Sequence, residues 1–304
     1  MSKIIYLDKE YINRDEGDLI VVLGNFDGFH IGHMSLFNEA EKIKEEHGGV
    51  TSAIIFDASA AKYLGNGKSL RYITPLNEKV GRLEDMGIDV IYIIHMSKEF
   101  LSLTKEGFLD FLKYSLHPAS IVVGEDYSFG YKAKGRVKDL QEAFGDSLHV
   151  MELIKDKNGN KFSTQAIIKL IEEGKIEEAN EDLITPYSII GKVVKGKQNG
   201  RTIGFPTANI ELADDYVIPK EGVYTGEVCL DNGEIYQSII NVGKNPTISL
   251  DNKETIEAYL DGFEGCLYDR YIQVSFLTYI RDEHKFNSLE DLKKQLQKDV
   301  TLIK

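Results

Sequence analysis

The chain is poor in cysteine, poor in positive charge and free of long apolar runs, and each shortage excludes something. Two cysteines, Cys229 and Cys266, are too few for a disulfide framework or a cysteine-based zinc cluster, and lone thiols of this kind fit a reducing compartment. Lysine and arginine number 36 against 49 aspartates and glutamates, a net charge of −13. That balance withholds the basic face a nucleic-acid binder needs, while leaving room for small anionic ligands that require only local cations. No uninterrupted apolar stretch approaches the length of a membrane span. Residues 1–18 carry no apolar signal-peptide core, so a cytoplasmic location is expected. Internal repeats and low-complexity tracts are also missing. What is present, 304 residues with 42% hydrophobic and 28% charged content, suits two ordinary globular domains.

The first half alternates two kinds of segment. Strands are predicted over 19–23, 50–56, 89–94 and 120–124. Between them, 34–47 places Leu36, Phe37, Ala40 and Ile43 at helical spacing and stops at Gly48-Gly49. Thr74-Pro75 opens a second helix, with proline at its first position and Gly87 beyond its end. Thr104 caps a third, running to Leu116. This order predicts a Rossmann-like parallel sheet with ligands at the carboxyl ends of its strands. A helical stretch is expected over 164–182. From Pro186 the character changes to six β-branched, aromatic runs: 188–194, 207–211, 222–230, 234–242, 255–260 and 271–280. Asp231-Asn232-Gly233 is a hairpin turn between two of them. A small antiparallel barrel follows from this pattern, closed by a helix that Ser288 caps, with Leu289, Leu292 and Leu296 on one face. The expected domains are 1–184 and 185–304.

The densest chemistry lies in Gly24–His33, GNFDGFHIGH, between a strand and a helix. Backbone amides at a helix start suit phosphate, and Gly24 and Gly28 are expected to let the backbone approach it closely. His30 and His33, as imidazolium groups, can donate to the equatorial oxygens of an α-phosphate, with Phe26 and Asp27 in the same turn. The plain alternative is a surface turn that happens to hold two histidines. A second cationic, glycine-rich stretch is GKVVKGKQNGRTIGFPTANI, residues 191–210. It is not a Walker A loop, because no hydroxyl residue follows Lys197 and no helix is predicted there. Lys195, Lys197 and Arg201 among Gly191, Gly196, Gly200 and Gly204 make either a phosphate-binding flap or an exposed basic turn.

Those residues carry a resemblance. Gly24–His33, together with 76–79 (LNEK) and 123–130 (VGEDYSFG), resembles the His-x-Gly-His nucleotidyltransferases and, within them, the prokaryotic FAD synthetases, which are bifunctional riboflavin kinases/FMN adenylyltransferases. The resemblance covers nearly the whole chain and implies ATP and FMN as substrates of the first domain, with Asp126 and Phe129 at the flavin. It further implies Thr164 at the ATP phosphates. Gly204-Phe205-Pro206-Thr207-Ala208-Asn209 resembles the riboflavin kinase signature, which implies Mg²⁺ and ATP phosphates at Thr207 and Asn209. Their hydroxyl and amide oxygens suit a hard cation. Glu257, in 255–260 (TIEAYL), occupies the catalytic-base position, and Arg281 falls in the closing motif near the flavin ring.

The chain departs from the family pattern in four places. Ala58-Ser59-Ala60 stands where Pro-His-Pro usually follows Phe-Asp, Ala133 stands at an arginine position, and Ile167 stands at another. Tyr259 also replaces a histidine. The resemblance therefore implies riboflavin phosphorylation to FMN and FMN adenylylation to FAD, with small-molecule partners and neither membrane nor nucleic acid. Two alternatives remain open: a kinase whose first domain has lost adenylyl transfer, and a non-catalytic flavin or nucleotide sensor.

Overall fold

The computed structural model describes residues 1–7, 17–57, 71–155, 159, 161–196, 204–244, 254–284, 286 and 288–303. The chain divides into two compact units, Met1–Leu70 with Thr74–Thr164, and Arg71–Ile73 with Gln165–Lys304.

The first unit is built on a six-stranded parallel sheet. Its strands are β1 (Lys3–Leu7), β2 (Leu19–Leu23), β3 (Val50–Phe56), β4 (Val90–Ile94) and β5 (Pro118–Gly124). A short hairpin, β6 (Ser128–Phe129) and β7 (Gly135–Arg136), stands apart, and β8 (Leu148–Met151) completes the sheet. The order is β1-β4-β3-β2-β5-β8. Every residue of β2 is buried, because both faces of the sheet are covered. Leu19, Val21 and Leu23 face Phe108, Leu112 and Leu140, while Ile20 and Val22 face Leu36, Phe37 and Ala40 of helix α1 (Ile31–His47). After β2 the chain builds outward on one side through β3 and β4, then returns to add β5 and β8 on the other. The reversal leaves a crevice between the carboxyl ends of β2 and β5, where open α/β sheets bind ligands.

Helix α2 (Leu76–Asp85) starts one residue later than the sequence predicts, with Pro75 as its N-cap. The helix that Thr104 caps runs over Lys105–Phe111, and its last turn widens to π geometry before His117 ends it in a left-handed conformation, φ 50°.

The second unit is a closed barrel of β9 (Ser188–Val194), β10 (Thr207–Leu212), β11 (Gly222–Leu230), β12 (Ile235–Lys244), β13 (Glu254–Leu260) and β14 (Tyr271–Arg281), in the order β10-β13-β12-β11-β14-β9. All six predicted runs are strands. Alternation fills the interior with Ala208, Ile210, Tyr224, Val228, Ile240, Val242, Ile256, Ala258 and Phe276. A helix over Leu289–Val300, capped by Ser288, brings Val300 onto Val223 and Ile239 outside the barrel.

The helical stretch over 164–182 consists of two helices, Thr164–Glu172 and Ile176–Asp182, separated by Gly174 at φ 77°. The compact units part at Thr164/Gln165. The reason is packing: Ile167, Ile171, Ile176 and Ala179 are buried in the same core as the barrel strands. Ile167 is 0% exposed, so its side chain serves this core. Ile167→Arg would bury an unpaired charge and is expected to destabilise the second unit by about 3–5 kcal/mol in urea unfolding.

Candidate active sites

The first site grows from the end of β2. The chain leaves Leu23 and turns through Gly24–His30 into helix α1, with His30 as N-cap. Phe26 and Phe29 take left-handed backbone angles, φ 50° and 44°, that side chains other than glycine adopt at a cost of about 1–3 kcal/mol each. Aromatic packing offsets that cost: Phe26 lies 4.8 Å from Phe37 and meets the His33 ring edge-on at 5.3 Å.

The two loop glycines differ from their expected role. Gly28 is buried, at φ 93°, between Asp27 and Phe29. It supplies a left-handed step of the turn, which glycine takes without a steric cost, and its backbone is covered rather than offered to a phosphate. Gly24 lies against the Phe26 ring, where a Cβ would stand 2.5 Å from it. The missing side chain there makes room for that ring. Both glycines therefore shape the loop.

This strained loop presses the two imidazoles together, with ring centroids 3.6 Å apart and planes 16° from parallel. Gly32 permits it, since a Cβ there would stand 3.1 Å from the His30 ring. Both Nδ1 atoms are buried without a hydrogen-bond partner among the described residues. Burial lowers the His30 pKa to about 4, against smaller opposing effects from its own backbone and the charge of Asp126. His33 is held well below its ordinary value by burial first, then by His30 and Lys79. The imidazolium donors expected from the sequence are therefore neutral imidazoles in the free protein at pH 7. Each still has one ring N–H to donate.

A further polar group at the loop is Lys79, which carries no assigned role in the sequence. It is buried on helix α2, and its Nζ donates to the Asn25 carbonyl at 2.8 Å and to Asn25 Oδ1 at 3.3 Å. Burial lowers its pKa and Asp27 opposes the shift. Asp27 and Phe26, placed at the phosphates by the sequence, hold the loop instead. Asp27 Oδ1 accepts the Thr74 N–H at 2.8 Å, and its carbonyl accepts the Thr164 hydroxyl at 3.0 Å. Thr164 is thus bound to the loop through its hydroxyl.

His30 gives a testable acid response. Its folded pKa is below the unfolded value of about 6.5, so the unfolded chain binds the proton more readily. The contribution is fully present above pH 6.5 and is lost as pH falls toward 4, up to about 3 kcal/mol. A His30→Asn variant should lose stability less steeply than the parent between pH 6.5 and 4.5 in thermal unfolding of the first unit.

Two other expected residues sit at the carboxyl end of β5. Asp126 is half-exposed and accepts from Lys161 Nζ at 2.9 Å. Phe129, assigned to the flavin by the resemblance, is buried in the core against Phe108 at 5.0 Å, under Gly135, which leaves its ring little surface for a ligand. Ala133 brings no cation, and its carbonyl accepts from the Arg136 guanidinium. At the end of β3, Asp57 accepts from Met96 N at 2.8 Å and pairs with His95 Nδ1 at 2.5 Å. Ala58, Ser59 and Ala60 lie outside the described residues.

The second site lies on the outer face of the barrel. Strand alternation turns Ala208, Ile210, Ile256 and Ala258 inward and leaves Thr207, Asn209 and Glu257 half-buried outside. Asn209 is directly opposite Glu257 across β10 and β13, and Asn241 is opposite Glu257 across β12 and β13. Thr207 Oγ1 donates to Glu257 Oε2 at 3.0 Å. That bond commits the hydroxyl proton and leaves the oxygen lone pairs free to face a cation. The Asn209 carboxamide lies over the backbone of Gly196, where a Cβ would stand 2.3 Å from Nδ2. The start of the glycine-rich flap therefore touches the site, while Lys197 and Arg201 lie outside the described residues. Gly204 is exposed at φ 87°.

Tyr259, in the place of a histidine, packs on Phe205 at 5.3 Å beneath the C-terminal helix. Arg281, expected at the flavin, is engaged elsewhere. Its Nη2 donates to Asp299 Oδ2 at 2.7 Å, and that carboxylate, 2% exposed, also accepts from Gln295. The pair ties the C-terminal helix to β14. Among the described residues no cluster of three histidine, cysteine or carboxylate side chains could hold a metal alone, and no helix is long and apolar enough to cross a membrane.

Comparison with known proteins covers both units. Residues 12–165 match a family model described as FAD synthetase, and residues 183–304 match one described as riboflavin kinase. A bifunctional riboflavin kinase/FMN adenylyltransferase of Listeria monocytogenes is 35% identical over 302 residues, 98% of this chain and 96% of that protein. Its counterpart in Bacillus subtilis is 34% identical over 95% of this chain and 92% of its own length. A crystal structure described as a macrolide-efflux protein from Streptococcus pneumoniae matches with a TM-score of 0.88 at 30% identity, over 99% of this chain and 98% of that one.

Proposed function

The chain belongs to the bifunctional riboflavin kinase/FMN adenylyltransferase family, and from that membership we propose two successive transfers at two separate sites. The barrel moves the γ-phosphate of ATP to the 5′-hydroxyl of riboflavin, giving FMN. The parallel-sheet unit moves AMP from a second ATP to FMN, giving FAD and pyrophosphate.

The observation that carries the kinase assignment is the Thr207–Asn209–Glu257 face. Glu257 is a carboxylate that can accept the hydroxyl proton as the bond to the γ-phosphorus forms. The oxygen-only donor set beside it fits Mg²⁺, which Thr207 and Asn209 would hold together with the phosphates. Bound there, the cation would neutralise phosphate charge. In the other unit, Lys79 fixes a positive charge beside His30 and His33, whose N–H groups stabilise charge on the α-phosphate without changing protonation. Such a site works by position and electrostatics, as phosphoryl chemistry requires.

A kinase without adenylyl transfer would need only the region of the riboflavin kinase match. The FAD synthetase match over 12–165 and the built His30–Lys79 site favour both activities. Dependence of both steps on ATP fits a cytoplasmic location. Incubation of the purified protein with riboflavin, ATP and Mg²⁺ should yield FMN first and FAD after it on a chromatographic time course. Unchanged riboflavin would defeat the kinase assignment, and FMN without any FAD would defeat the adenylyltransferase one.

A further inference from the structure

The family's two arginine positions are Ala133 and Ile167 here, and the second is buried in a core. A triphosphate in the crevice between β2 and β5 still needs cationic partners beyond the buried Lys79. Lys132 lies 5.3 Å over the Tyr131 ring, in the hairpin loop. One lysine is placed better. Lys161 belongs to the segment that runs along the phosphate loop: its neighbour Phe162 would touch a Cβ on Gly32 at 3.7 Å, and Thr164 bonds Asp27. Its ammonium is 2.9 Å from Asp126 at the carboxyl end of β5, and Asp126 is near enough for its charge to act on His30. Lys161 is therefore held on the β5 side of the crevice, whereas Lys79 reaches the loop from helix α2. Half of the Lys161 side chain, 51%, is exposed.

We infer that Lys161 is a phosphate-binding residue of the adenylyl-transfer site, exchanging Asp126 for the triphosphate when ATP binds. A half-exposed lysine–carboxylate pair is weak, so a group of several negative charges displaces it readily. Lysine supplies this charge as a point, without the forked geometry of an arginine. The missing arginines and the present lysine are then two sides of one arrangement. The inference rests on adenylyl transfer by this unit, so its test includes a binding measurement that needs no turnover.

Lys161→Gln, Lys161→Arg and a Lys132→Gln/Lys134→Gln double variant would be compared in the full chain. FAD formation would be followed with ATP varied at two ionic strengths, riboflavin phosphorylation would serve as the internal control, and pyrophosphate binding would be titrated by calorimetry. Lys161→Gln is expected to raise KM for ATP in FAD formation and Kd for pyrophosphate about 10- to 100-fold, the loss of one charge-assisted contact. It should flatten the salt dependence of that KM, leave riboflavin phosphorylation unchanged, and be largely rescued by Lys161→Arg. Unchanged KM and Kd in Lys161→Gln, or the whole effect appearing in the Lys132/Lys134 variant, would overturn the assignment. Lys161-dependent pyrophosphate binding by a protein that makes no FAD would support Lys161 while refuting adenylyl transfer.

Discussion

Replacing Glu257 by glutamine is expected to lower kcat for riboflavin phosphorylation about 10²- to 10⁴-fold, the usual contribution of a general base. The substitution is nearly isosteric. Its amide oxygen still accepts from the Thr207 hydroxyl, which sits 3.0 Å away, so the β10–β13 face should persist. KM for ATP should therefore change little while kcat falls. Conversion of supplied FMN to FAD should be untouched, because that chemistry belongs to the other unit. Steady-state kinetics of both half-reactions on one preparation distinguish this from a folding defect, which would lower the stability of the barrel. A kcat within about threefold of the parent would remove Glu257 from the proton-accepting role.

The second large effect is the mirror of the first. On the proposed mechanism His30→Ala removes a donor to the α-phosphate, and it takes away the stacking partner of His33. Loss of one preorganised donor of this kind costs about 10²- to 10³-fold in kcat. FAD formation should fall by that amount, with riboflavin phosphorylation retained. Because both histidines are neutral in the free protein, this loss should be equally large at pH 7 and pH 8.5. A defect that vanished at the higher pH would point to an imidazolium as the active species. The pH comparison thus also discriminates between the charged donors suggested by the sequence and the neutral ones suggested by burial.

Much of this architecture is legible in the sequence because burial writes periodicity. Leu19–Leu23 is apolar throughout, since both faces of its sheet are covered, and the barrel strands alternate, since only one face is. The strand β1 escapes that logic. It lies at the sheet edge with Ile4 and Tyr6 exposed, so its five residues show no clear burial pattern. The division of the 164–182 helical stretch into two helices turns on Gly174, one residue inside an otherwise continuous helical composition.

The sites show the same division. Glycine and histidine in GNFDGFHIGH mark the candidate loop by their types and spacing. What each does within it is less legible: Gly28 turns a buried stretch of chain, where its type alone suggested open backbone. Lys79 does not mark itself, because a lysine in a helix is ordinarily a surface residue, and only the tertiary fold shows it buried on Asn25. The protonation of His30 and His33 is also a property of burial, invisible in their spacing. Asp27, Phe26 and Arg281 illustrate the reverse. Each lies in a segment with a recognisable pattern, yet hydrogen bonds and packing assign them to holding the loop or the C-terminal helix.

Two separate sites acting in sequence make a direct demand on where ATP's phosphorus atoms go. Riboflavin would be incubated with the protein, Mg²⁺ and ATP labelled with one phosphorus isotope at the α position and another at the γ position. FMN should carry the γ label alone, and FAD should carry both in equal amounts, with the α label released into FMN in no condition. Flavin products bearing only the γ label, however long the incubation, would contradict adenylyl transfer by this chain.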